Sequence, residues 1–251
     1  MVQKVQKVLK GYKGTDRPIP NNQSPLFPME YNISYNKMVE IDMSVPIKID
    51  MVYFSKMKLK NAVQQCFVRE EVLSRLLDIQ KQLPDGIKLC ILDAWRPLKL
   101  QQELYDLYSS DIIKRFHLEP LEPDDQQKFI SQFVSVPSFD AVRAPVHTTG
   151  GAVDVTLVDS QGHPINMGTS FDDFSLKAHT NYFELHYDQE ITTNRRLLYN
   201  AMTEGGFTNI PSEWWHYDYG DSFWGYYKHT APFYCGFSDL RTMKEYEKKE
   251  Q

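Results

Sequence analysis

Two stretches of this chain hold residue types at spacings that could do chemistry. In His147-Thr148-Thr149-Gly150-Gly151-Ala152-Val153-Asp154, a histidine enters a glycine-containing turn and an aspartate follows inside an apolar run. Val153, Val155 and Leu157 flank that aspartate, so burial is expected, and a buried carboxylate is costly unless a cation or hydrogen bonds compensate. Spacing alone leaves two accounts open: a metal ligand, or a structural aspartate bonded to turn amides. In Glu213-Trp214-Trp215-His216, a glutamate stands three residues before a histidine among large aromatics. That suits a base beside a metal ligand in a site shielded from water. An ExxH alone is a weak signal, and the same residues could lie on a solvated strand. Together the two stretches offer His147, Asp154 and His216 as ligands and leave one position for water, the pattern of catalytic rather than structural zinc.

A third element is Asp93-Ala94-Trp95-Arg96-Pro97. Arg96 falls where a predicted strand meets a predicted helix, a junction from which a guanidinium can reach a developing oxyanion. The competing account is a surface arginine paired with Asp93. Of the other histidines, His179 and His186 flank Glu184, but their segment is polar and loop-like, which argues against a second metal cluster. His117, His163 and His229 read as surface or packing residues. The aromatics after Trp214 read as core and pocket wall.

Composition narrows the class. Cys66, Cys90 and Cys235 are an odd set without CxxC spacing, which argues against a disulfide framework or a thiolate metal site. The net charge of −5 and scattered Lys and Arg exclude a basic nucleic-acid face. No run approaches the roughly 20 apolar residues that span a bilayer. The N-terminal residues lack a signal-peptide core, so the cytoplasm is the expected location.

The elements that must position these residues can be sketched. Residues 1–36, rich in Pro, Asn and Lys, are expected to form an irregular arm, with one domain over 37–251. Val39 to Ile49 alternates like a strand. Val63, Phe67, Val72, Leu76, Ile79 and Leu83 recur at near-helical spacing, predicting a helix over 61–83 that contains Cys66. Ile87 to Leu92 predicts a buried strand. Pro97 opens a helix to about Phe116, and Pro123 a shorter one through Phe133. Ala152 to Val158 predicts a strand, and Arg195 to Glu204 a helix stopped by Gly205-Gly206. Glu213 to Tyr227 is expected to supply the last strands. The fold class is α+β: one domain with a central antiparallel sheet and packed helices.

Read together, these motifs resemble the zinc D-alanyl-D-alanine dipeptidase family, which is related to the D,D-carboxypeptidases and Hedgehog-like zinc domains. Asp93-Ala94-Trp95-Arg96-Pro97 resembles the family's D-[GA]-[YW]-R-P, and Met167-Gly168-Thr169-Ser170-Phe171-Asp172 its M-G-[ST]-x-F-D. His147-x6-Asp154 and the run from Arg195-Arg196 through Gly206-Phe207 to Glu213-Trp214-Trp215-His216 resemble the rest. The resemblance covers roughly 50–227. It implies one zinc ion held by His147, Asp154 and His216, Glu213 as general base and then acid, and Arg96 on the oxyanion. It also implies Asp172 on the substrate's free amine, with Tyr53 of Asp50-Met51-Val52-Tyr53 assisting. One departure is plain: the family's usual Ser-x-His is here Pro145-Val146-His147, and proline has no hydroxyl to offer.

The expected reaction is hydrolysis of D-Ala-D-Ala or a similar D,D-dipeptide by metal-activated water, with a small dipeptide as the binding partner. Two alternatives are a D,D- or L,D-carboxypeptidase acting on peptidoglycan stems, which needs a more open cleft, and a non-catalytic zinc domain that binds a partner. Oligomeric state is not legible from sequence.

Overall fold

The apolar strands collect into one sheet because each carries a face that water disfavours. A computed structural model describes residues 12, 14–25, 30–34 and 36–249. Its larger sheet has five strands in the order β2(Lys48–Ile49), β4(Lys88–Asp93), β5(Val153–Val158), β7(His216–Asp218), β6(Thr208–Asn209). The β2–β4 pair is parallel and the other three pairs are antiparallel. The α+β class therefore holds, with one parallel edge added to the antiparallel sheet. A second, two-stranded sheet pairs β1(Met38–Ile41) with β3(Cys66–Arg69).

Alternation along β5 separates two environments. Val153, Val155 and Leu157 join Leu89, Ile91 and Trp215 in the main core. Cys90, Leu92 and Val158 gather in a smaller cluster. Helices α2(Glu70–Gln82) and α6(Gln189–Glu204) bring Leu76, Ile79, Leu197, Leu198 and Met202 to the main core. Helix α1(Val52–Ser55) follows β2, and α3(Leu98–Phe116) starts directly after Arg96-Pro97. Next come α4(Pro123–Ile130), a 3-10 turn over Val146–Thr149, α5(Tyr182–Leu185), α7(Ser222–Lys228) and α8(Leu240–Lys249).

Several predicted elements are redrawn. The helix expected over 61–83 begins only at Glu70, and Cys66 lies on β3. Residues 66–69 pair with β1, so cross-strand hydrogen bonds decide a short apolar run, Cys66-Phe67-Val68, that fits either period. Val39 to Ile49 is two strands in two sheets, broken by turns from Asp42. The helix expected from Arg195 starts at Gln189, where the Asp188 carboxylate accepts from the Ile191 amide. The Pro123 helix stops at Ile130 rather than Phe133. Of 213–227, only His216–Asp218 is strand. Asp221 caps the Trp224 amide and turns the rest into α7.

Residues 14–25 lie along α6 and α5. The Asn200 side chain donates to the carbonyls of Gly14 and Arg17, Arg17 Nε donates to Asn200 Oδ1, and Glu184 accepts from the Ile19 amide. The remainder of the expected arm falls partly outside the described residues. Among the described residues no helix is long and apolar enough to cross a membrane.

Candidate active site

Strand register brings the distant motifs together. Asp154 of β5 sits directly opposite His216 of β7. On the other side, β4 runs in register with β5 from Lys88 to Ile91, then shifts by one so that Asp93 rather than Leu92 faces Asp154. This bulge turns Asp93 away from the core face that Leu89 and Ile91 occupy. His147 comes from the 3-10 turn, which is tied down from several directions. Its carbonyl accepts from the Arg96 amide, the Thr148 carbonyl from Trp95 Nε1, and the Thr149 carbonyl from Arg69 Nε.

His147 Nε2, His216 Nδ1 and Asp154 Oδ1 lie 3.1 to 3.4 Å from one another, all buried. Metal–ligand bonds of ~2.0–2.1 Å in tetrahedral geometry put neighbouring ligand atoms ~3.3–3.4 Å apart, so the triangle has the size of a zinc site. The outer nitrogens agree. His147 Nδ1 donates to the Ala94 carbonyl at 2.9 Å, and His216 Nε2 donates to Asp218 Oδ1 at 2.8 Å. With the ring protons on those outer nitrogens, the inner nitrogens are the ones free to turn lone pairs toward the triangle. Two nitrogen lone pairs and a carboxylate oxygen at such distances repel unless a cation lies among them. Among the described residues this is the one such donor group.

Glu213 Oε2 stands 3.9 Å from His216 Nδ1, one water's breadth from the triangle, with its side chain 22% exposed. Burial pushes its carboxyl up to about 8, opposed by His216 and reinforced by the charges of Asp154 and Asp172. A divalent cation in the triangle would draw that value back down.

Arg96 is buried. It does pair with Asp93, through Nε at 2.9 Å and Nη2 at 2.8 Å, but the surface placement that accompanied that pairing in the sequence reading is overturned. Its Nη1 donates to Gln101. Three of five guanidinium N–H groups are thus committed at short range, and Nη2 lies 3.8 Å from Asp154 Oδ2, beside the triangle.

Asp172, at φ 58°, points into the same cavity, where Tyr108 Oη donates to its Oδ2 at 2.7 Å and Tyr53 lines the wall beside it. Burial raises the Asp172 carboxyl to about 6, while the Tyr108 hydrogen bond pulls the other way. The Asp172 loop is held from α6: Arg195 donates to the carbonyls of Met167, Lys177 and His179. Arg195 is buried without a carboxylate partner among these bonds, and burial lowers its pKa to about 9. Tyr53, Arg96, Tyr108, Phe174, Glu213 and Phe223 line the cavity above the triangle.

All seven sequence-predicted site residues meet in this cavity. Sequence reasoning missed Tyr108 and Asp218. Tyr108 continues the Gln101, Leu104, Ile112 stripe of α3, and His216-x-Asp218 is the spacing that puts two side chains on one face of a strand. Both signals were present but are common. His179 and His186 do not form a metal group, and His117, His163 and His229 are exposed.

Three protein donors, a fourth side open to a cavity and a carboxylate in reach of that side are what hydrolysis of an unactivated bond needs. The class is metal-dependent hydrolase. The family model described as Peptidase_M15, D-ala-D-ala dipeptidase, matches residues 49–235, and the chain belongs to that family. A D-alanyl-D-alanine dipeptidase of Synechocystis sp. is 31% identical over 63% of this chain and 71% of its own length. The Escherichia coli D-alanyl-D-alanine dipeptidase is 28% identical over 61% of this chain and 67% of its own. A solved structure of VanYB in complex with D-Alanine-D-Alanine covers 92% of this chain and 96% of that one at 15% identity, with a TM-score of 0.35.

Proposed function

We propose that this chain is a zinc-dependent dipeptidase that hydrolyses D-Ala-D-Ala or a similar D,D-dipeptide. The observation that carries the reading is the zinc-sized triangle of His147, Asp154 and His216 with Glu213 beside it. Membership of the family and both dipeptidase relatives support the substrate class. Zinc held by His147, Asp154 and His216 would supply Lewis acidity and lower the pKa of a bound water.

The protein's own groups do the rest. Glu213 takes a proton from the attacking water at Oε2 and returns it to the leaving amine. Arg96 directs its uncommitted N–H groups at the oxygen that gains charge, and Asp93 and Gln101 keep the guanidinium from rotating. Asp172 accepts from the substrate ammonium, with Tyr108 orienting its carboxylate and Tyr53 beside it. Pro145 offers no hydroxyl at the position where the family usually has serine, so the amine end relies on the tyrosines. We assign catalysis to 37–251 and treat the described residues 14–25 as part of an arm packed on it. The cytoplasm suits three cysteines that are all free.

Glu213→Ala tests the reading. It should retain one zinc per chain and lose about 10²–10⁴ in turnover of D-Ala-D-Ala. Full activity in that variant refutes the role of Glu213. A panel of D,D-, L,D- and L,L-dipeptides beside a stem pentapeptide separates dipeptidase from carboxypeptidase. Zinc binding with no turnover on any of them favours a binding domain.

A further inference from the structure

We infer that Asn209 is a positioning residue for Glu213: its side-chain amide clasps the carbonyls of Glu213 and His216 and so sets where the base stands relative to the metal ligand. The inference rests on Glu213 acting as the base, as proposed above, and adds a residue to that reading.

Strands β6 and β7 form a hairpin whose ladder places Thr208 opposite Asp218 and Asn209 opposite Tyr217. Residues 210–215 connect the two strands, and Glu213 lies in that connection, off the ladder. A base there inherits the looseness of a loop unless its backbone is held. Asn209, 3% exposed, holds it from the foot of the hairpin. Its Nδ2 donates to the His216 carbonyl at 2.8 Å and to the Glu213 carbonyl at 2.9 Å. Both partners are carbonyl oxygens, so the side chain must present its NH2 group, and each of its two N–H bonds has its own acceptor. The first bond carries the ladder past its last backbone pair. The second reaches across the connection to the base.

Two carbonyls three residues apart on one nitrogen fix the chord of the Glu213–His216 segment. The other ties of that segment hold its tryptophans. The Trp215 carbonyl accepts from the Val155 amide at 2.8 Å, the Trp214 amide donates to the Ala178 carbonyl at 3.1 Å, and Trp214 Nε1 donates to Thr169 Oγ1 at 2.8 Å. Glu213 itself is tied by its amide to the Ile210 carbonyl at 3.4 Å, long for a hydrogen bond, and by the Asn209 clasp. The clasp is therefore the stronger control on a carboxylate that stands 3.9 Å from His216 Nδ1. Displacing a reacting group by about 1 Å can cost on the order of 10²-fold in rate. Asn209 does not line the cavity, so it acts through Glu213 and not on the substrate.

The test is Asn209→Leu, which keeps the size of the side chain and removes both donors. The folded variant should hold one zinc per chain and turn over D-Ala-D-Ala with kcat lower by about 10–100-fold. Its KM should stay within about threefold of the parent, because a misplaced base weakens the transition state rather than dipeptide binding. In a Glu213→Ala background the same substitution should cost less than about twofold, since no base is left to place. Thr208→Val is the strand control: among the described residues the buried Thr208 Oγ1 has no partner, so this variant should keep the parental kcat. Hydrogen exchange in the zinc-free protein gives a readout apart from turnover. The Asn209 side-chain protons should be protected in the parent, and the amides of 213–215 should exchange faster in Asn209→Leu while those of β4 do not. Parental kcat in a folded, zinc-loaded Asn209→Leu protein overturns the inference. So does an undiminished loss in the Glu213→Ala background, an equal loss in Thr208→Val, or zinc lost in step with kcat, which would place the effect on His216. If Asn209→Leu does not fold, Asn209→Ser decides on the same terms, because one short hydroxyl cannot hold both carbonyls. Full activity in Glu213→Ala refutes the base reading instead, so the two failures are distinguishable.

Discussion

The two ends of the cavity are built by different means. At the metal end, Asp154 and His216 sit on adjacent strands whose hydrogen-bond register sets their distance, and His147 comes from a 3-10 turn bonded to the backbone of Arg96 and the ring of Trp95. At the amine end, Asp172 sits in a loop with left-handed backbone geometry, and its carboxylate is set by Tyr108 from α3, with Tyr53 of α1 beside it. Ladder bonds are cooperative and buried, so a single substitution leaves the metal end's backbone in place. The amine end is held by a few side-chain bonds, with Arg195 fastening the loop from α6. Chemistry should therefore be lost in steps at the first end and graded at the second.

The largest expected effect sharpens this contrast. His216→Ala removes one of three donors and should abolish stoichiometric zinc and turnover together, while the sheet stays folded in far-ultraviolet circular dichroism. Unchanged metal content would strike His216 from the ligand set.

Asp172→Asn comes next. Charged hydrogen bonds contribute about 1.5–3 kcal/mol, so KM for free D-Ala-D-Ala should rise roughly 10–150-fold with zinc content unchanged. The pH dependence follows from the same residue. The carboxyl is held at about 6, so it is ionised above that value and neutral below it. An ammonium ligand requires the ionised form, so kcat/KM should fall as pH drops through about 6, and Asp172→Asn should flatten that limb. A limb that survives in Asp172→Asn belongs to another group and breaks the assignment.

Tyr108→Phe should give the smallest effect. It removes the 2.7 Å bond to Asp172 but leaves Tyr53 in place, so KM should rise by about three- to tenfold with little change in kcat. A loss of zinc in this variant would show that the two ends are coupled, and the contrast drawn above would fail.

Much of this molecule was legible in one dimension, and the failures have physical causes. The strand at 88–93 and the helix at 98–116 were readable because an apolar run bounded by turn residues and a proline at a helix start are local signals. The strand at 66–69 was not, because pairing with β1 decides it. The helix at 222–228 was hidden by aromatics that favour strands, and Asp221's cap overrules them. Among the site residues, Arg96 was placed in the right motif while its burial stayed undecided, since pairing with Asp93 is possible on a surface or in a core.

The sequence by itself determined which residues are on hand for the proposed chemistry: two histidines, two aspartates, a glutamate and an arginine in motifs whose order is informative. Those identities are covalent facts, and their chemical capacities travel with them. Only the tertiary structure decided the distances. A one-residue bulge after Ile91 turns Asp93 toward Asp154, and β5–β7 register sets Asp154 opposite His216, 62 positions away. Tyr108 and Asp218 entered the site on the same terms. Register and packing are sums over many contacts between remote segments, and no local pattern of residues encodes such a sum.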